Sequence, residues 1–96
     1  MVEIRKTDLF ANWIDNLRDV NAKARILVRI ERLRSGNAGD VKPVGEGISE
    51  MRIDYGPGYR VYFIQRGNDV IIILAGGDKS TQSGDIKKAS RLARNL

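Results

Sequence analysis

The 96-residue sequence contains neither cysteine nor histidine. The first absence excludes disulfides and thiolate chemistry. The second removes the usual acid–base side chain at neutral pH, and it leaves zinc only carboxylate ligands, an unusual set. Any catalysis must therefore run on Lys, Arg, Tyr, Asp, Glu or Ser, and neither a metal nor a cofactor is expected. No apolar run approaches transmembrane length, and the opening MVEIRKTDLF has no apolar signal core. These absences lead to the expectation of a soluble, cytoplasmic protein. The length suits one small domain, residues 1–96, with a modest core and a thin folding margin.

What the sequence has in surplus is positive charge. Lysine and arginine number 17 against 12 acids, a net charge of +5. Such a balance favours polyanions, nucleic acid first and acidic protein partners second.

Periodicity organises the chain. Val2 to Lys6 alternates as a short strand. Thr7 or Asp8 is placed to cap a helix on which Phe10, Trp13, Ile14 and Leu17 recur at helical spacing. Asn21 is read as the cap of a second helix that Gly36 stops, with Ala22, Ile26, Ile30 and Leu33 on its apolar side. Arg29 lies beside that stripe and is expected to snorkel from the core edge. Residues 37–47, NAGDVKPVGEG, read as a connecting loop. Three strands follow, Ile48–Asp54, Tyr59–Arg66 and Val70–Ala75, joined by hairpin-length turns at Gly56–Gly58 and Gly67–Asp69. VIIILA is apolar on both faces and marks an interior strand. Ile86, Ala89, Ala93 and Leu96 outline a last helix. The predicted fold is α+β in the order β-α-α-β-β-β-α: an antiparallel sheet with two helices on one face and the other face partly open.

The stretch DYGPGYRVYF invites a functional reading. Alternation sets Arg60, Tyr62, Ile64 and Arg66 on one face and Tyr59, Val61 and Phe63 on the other. A three-residue turn would put Asp54 across from Arg60 and Arg52 across from Tyr62. The result is a face bearing Arg52, Asp54, Arg60, Tyr62 and Arg66, with Met51, Ile53, Val61 and Phe63 turned to the helices. An isolated Asp54–Arg60 pair would be an ordinary surface ion pair, worth roughly 0–1 kcal/mol. Several cations converging on one face of a basic chain change the weighting, because guanidinium matches phosphate and a tyrosine ring stacks on a base.

The second stretch is GGDKSTQSGDIKKA. It fails as a phosphate-binding P-loop: Asp78 stands where the glycine before the lysine should be. Lys79 leaves the apolar strand beside the arginine-bearing hairpin and can reach the same anion. Lys23, Arg25, Arg32, Arg34, Lys87, Lys88, Arg91 and Arg94 read first as solvated sides of amphipathic helices that can also touch an RNA backbone.

With RIERLRSGNAGDVKPVGEGISEMRIDYGPGYRVYF and IIILAGGDKSTQSGDIKKA in view, the chain resembles the RelE/ParE superfamily of bacterial toxins, and within it the HigB-like addiction module killer subgroup. The resemblance covers nearly the whole chain and implies a RelE-like fold. It implies a type II toxin that cuts mRNA in the ribosomal decoding site without a metal, using basic and tyrosine side chains. On the matching positions, Arg60, Lys79 and Arg52 are the basic catalytic residues. Asp54 and Tyr55 join them: some relatives carry a C-terminal tyrosine or histidine as proton donor, RLARNL offers neither, and Tyr55, Tyr62 or Asp54 must stand in. Tyr62, Arg66 and Lys88 are the expected RNA contacts. The implied partners are the ribosome, mRNA and a helix-turn-helix, HigA-like antitoxin, through which operator DNA is engaged. Two alternatives stay open: a ParE-like DNA gyrase poison, and a non-catalytic module that docks antitoxin or DNA.

Overall fold

A computed structural model describes residues 2–96. Strand β1 (Glu3–Lys6) leads into α1 (Asp8–Asp15) and α2 (Val20–Arg34). Strands β2 (Val41–Gly45), β3 (Ile48–Ile53), β4 (Tyr59–Arg66) and β5 (Val70–Asp78) follow. A 3₁₀ turn (Lys79–Thr81) then opens into α3 (Gln82–Arg94). The five strands form one sheet in the order β1-β5-β4-β3-β2, antiparallel except for β1, which runs parallel to β5. This is the expected α+β class with one strand more than the sequence suggested. Among the described residues no helix is long and apolar enough to cross a membrane.

Local chemistry explains the helix ends. Thr7 Oγ1 accepts from Phe10 N at 3.1 Å and caps α1. The cap of α2 is Asp19, not Asn21: its carboxylate accepts from both Asn21 N and Ala22 N, so the helix starts earlier than predicted. Gly36, at φ 93°, ends the helix in the left-handed region, with Asn37 N donating to Arg32 O and Gly36 N to Leu33 O.

Strand β2 lies inside the segment read as a loop. Its Pro43 and Gly45 suppress a strand signal, yet an edge strand tolerates a residue without an N–H. Val41 and Val44 each tuck against a different core cluster.

Two cores sandwich the sheet. Met51, Ile53, Val61 and Phe63 pack with Phe10 and Ile14 of α1 and Ala22, Ile26, Ile30 and Leu33 of α2, as alternation predicts. The other face is not open along its length. Tyr62, Ile64, Ile48 and Leu74 lie buried there against Ala89, with Ile86 and Leu92 of α3 beside them. A bulge at Leu74 reconciles the faces of β5: Tyr62 pairs with Ala75 but Phe63 with Ile73. Thr7 Oγ1 donates to the Leu74 carbonyl at 2.6 Å, satisfying the bulge. Beyond it, Gly76 faces Trp13 and Gly77 faces α3. A Cβ on Gly76 would sit 2.3 Å from Trp13 Cε3, and one on Gly77 only 1.8 Å from Asp85 Oδ2.

Candidate functional site

The link between β3 and β4 is longer than the expected three-residue turn. It spans Asp54–Gly58, with Gly58 N donating to Tyr55 O at 3.1 Å and positive φ at Gly56 and Gly58. The register moves by two residues. Arg52 pairs with Arg60, Glu50 with Tyr62 and Ile53 with Tyr59. A shift of two preserves the face of every side chain but changes each partner. The expected Asp54–Arg60 and Arg52–Tyr62 pairings are therefore replaced.

The new register sets up the site. Arg52, Arg60 and Gly77 form one row across β3, β4 and β5. With strands about 4.8 Å apart, the row spans roughly 10 Å. Like charges directly opposite on a sheet repel, and each arginine has its own carboxylate. Arg52 Nη2 donates to Asp40 Oδ1 at 2.9 Å at the surface. Arg60, whose side chain is only 14% exposed, has Nε 3.8 Å from Glu50 Oε1. Neither Arg52 Nε nor Arg60 Nε has a hydrogen-bond partner. Both Nε atoms are buried, so contact with a ligand falls to the Nη groups of two guanidiniums that share one end of one face.

Lys79 joins them. The 3₁₀ turn that carries it is pinned by Asp78, which accepts from Ser80 N at 2.8 Å and from the Ser80 hydroxyl. These bonds, the Ser80 hydroxyl first, hold the Asp78 carboxyl below its ordinary value. The position a Cβ would take on Gly58 is 3.5 Å from Lys79 Cβ and 3.7 Å from Arg60 Nη1. Lys79 and Arg60 therefore flank the same small gap, and Lys79 is exposed.

The remaining predicted site residues lie elsewhere. Asp54 lines a groove with Arg25, Arg29 and Arg32 of α2, and among the described residues it forms no ion pair. Tyr55 packs against the α1/α2 core, its ring 4.5 Å below the Arg25 guanidinium carbon. Tyr62 is fully buried beneath α3 and presents no ring face for a base to stack on. Burial first, and then the Glu50 carboxylate, push its phenol well above the ordinary value of 10.0, so it stays protonated near neutrality. Arg66 is at the far end of β4, where Nη2 donates to Ala93 O at 3.5 Å. Six residues of strand separate it from Arg60, roughly 20 Å. Lys88 is exposed on α3.

Two buried carboxylates that no sequence motif marks lie behind the arginines. Glu50 is 1% exposed and Asp85 8%. Glu50 Oε2 accepts from Gln82 Nε2 at 2.7 Å, and Asp85 Oδ2 accepts from Thr81 Oγ1 at 2.5 Å. A carboxylate between Ile48 and Met51 on a strand, sharing a face with Arg60, was the available signal. Arg29 was expected to snorkel. Instead it reaches across the core edge and donates to Arg52 O at 2.7 Å and Ala38 O at 3.2 Å, fixing the end of β3 and the chain that carries Asp40.

A sheet with helices on both faces and a basic rim is a RelE-like arrangement, and comparison with known proteins narrows it. The family model for phage-derived Gp49-like proteins matches residues 12–96. The chain belongs to the phage-derived Gp49-like family. This family is toxin-like and of RelE type. A Haemophilus influenzae protein, itself described only as uncharacterized, is 50% identical over 95 residues, covering 99% of this chain and 96% of the relative. In this Gp49-like chain the matched region contains Arg52, Arg60, Lys79, Glu50 and Asp85, and so the whole basic rim with the carboxylates behind it.

Proposed function

We propose that this Gp49-like chain is the toxin of a type II toxin–antitoxin pair, HigB-like, and that it cuts mRNA on the ribosome. One observation carries the reading: Arg52 and Arg60 stand directly opposite each other on one face of the sheet, and Lys79 borders the gap beside the Arg60 Nη edge. Two arginines held against their mutual repulsion form a receptor for an anion, and guanidinium geometry suits a phosphodiester.

In the proposed reaction a ribose 2′-oxygen attacks the adjacent phosphorus, and the 5′-oxygen leaves. The 2′-oxygen loses a proton, the leaving oxygen gains one, and a cyclic phosphate results. Arg60, Arg52 and Lys79 stabilise the added charge on the phosphoryl oxygens, and one such donor is worth roughly 2.7–4 kcal/mol. The ribosome positions the strand, which lets a site without histidine suffice. Asp54 and Tyr55 face the arginines of α2, away from Arg60, and take no part in this mechanism. Restraint of the toxin falls to a HigA-like helix-turn-helix antitoxin.

Induced expression with primer extension on a model mRNA tests the proposal. Cuts that need ribosomes, and that vanish with Arg60→Ala in a folded protein, are the expected result. A DNA-damage response with translation initially intact would move the target to gyrase. Unaffected growth would leave a non-catalytic binding module.

A further inference from the structure

The polar cluster under α3 has no part in the mechanism above, yet it touches the residue on which that mechanism depends. Glu50 sits in mid-strand, 1% exposed, between the buried apolar residues Ile48 and Met51. A carboxylate in such a place is costly unless it is paired. Its two oxygens are divided. Oε2 is held by Gln82 Nε2 at 2.7 Å, and Oε1 looks toward Arg60 Nε at 3.8 Å. That Nε is buried and has no hydrogen-bond partner. The guanidinium is thus drawn inward at Nε by charge, and its Nη edge turns to the gap beside Lys79, where Nη1 makes only a 3.5 Å contact with Tyr59 O.

We infer that Glu50, braced by Gln82 from α3, is a positioning residue that sets the orientation of Arg60 toward its anion. The inference rests on the reading of Arg60 as the phosphate-binding group. It also gives α3 a role: the first residue of that helix holds the carboxylate that holds the arginine. Tyr62, fully buried, pairs with Glu50 across β3 and β4 and fills the floor beside it.

The test combines cleavage kinetics with the Nε–H signal of Arg60. Glu50→Gln keeps the volume and removes the charge. Its kcat for ribosome-dependent cleavage should fall on the order of 10²-fold, the cost of a misplaced group, with KM within about 2-fold. In an Arg60→Ala background the same substitution should cost nothing further, because the two residues act as a unit. Gln82→Ala, which leaves Glu50 in place, should give a smaller kcat loss of the same kind, and it decides the matter if Glu50→Gln fails to fold. Glu31→Gln, on the exposed side of α2, is the control and should match wild type. In ¹⁵N spectra the Arg60 Nε–H should exchange slowly in the wild type and rapidly in Glu50→Gln. That signal reads the positioning directly, so it decides this inference even if the wild type cuts no RNA and the proposed function falls. Additive kcat losses, or an Arg60 Nε–H unchanged by Glu50→Gln, would overturn it.

Discussion

Asp85 Oδ2 occupies the space that a side chain at position 77 would need. A Cβ on Gly77 would lie 1.8 Å from that oxygen and 2.7 Å from Thr81 Oγ1. The glycine exists so that a buried carboxylate on α3 can lie flat against β5, next to the strand position of Arg60. The GGDKS motif is therefore a packing device on both faces, Gly76 admitting Trp13 and Gly77 admitting Asp85.

Gly77→Ala should destabilise the fold by about 2 kcal/mol or more, since overpacking of this kind typically costs 1–3 kcal/mol. Asp85→Ala removes the obstructing group. The double variant should be more stable than the two single losses predict, by roughly 1 kcal/mol or more. Urea denaturation of the four proteins measures this, and additive losses would place the clash elsewhere.

Lys79 and Lys87 are both exposed lysines near the start of α3, yet only Lys79 borders the Arg60 gap. Lys79→Ala should slow ribosome-dependent cleavage on the order of 10²-fold, as loss of one charge-stabilising donor does. Lys87→Ala should change it less than about 2-fold. Equal losses would mean that the chain relies on diffuse positive charge and has no discrete site.

Asp40 neutralises Arg52 at the surface, where both side chains are more than a third exposed. Asp40→Asn should cost no more than about 1 kcal/mol of stability. It should also strengthen binding to single-stranded RNA at low salt. If the freed guanidinium takes a phosphate, the slope of log K against log salt steepens by about 0.7. Filter binding at several salt concentrations gives that slope, and an unchanged value would take Arg52 out of the RNA contact.

The readable parts of this protein are those governed by period. Spacing of 3.6 gave the buried stripe Ala22, Ile26, Ile30 and Leu33 of α2. Spacing of two gave the opposite faces of Val61 and Arg60, and the sequence also exposed the basic surplus and the absence of histidine. Strand β2 stayed hidden because Pro43 and Gly45 carry the signature of a loop while serving as an edge. Arg52 pairs with Arg60 across β3 and β4 and Lys79 lies beside Arg60, but the groups that hold them carry no local pattern.

Sequence by itself determined which side of the sheet each residue of β3 and β4 takes, because alternation survives a two-residue slip. Only the tertiary structure decided the partners. The longer Asp54–Gly58 connection set Arg52 against Arg60, and the docking of α3 brought Gln82 onto Glu50 from 32 residues away. Contacts of that kind depend on loop length and on the packing of distant elements, which no local pattern encodes.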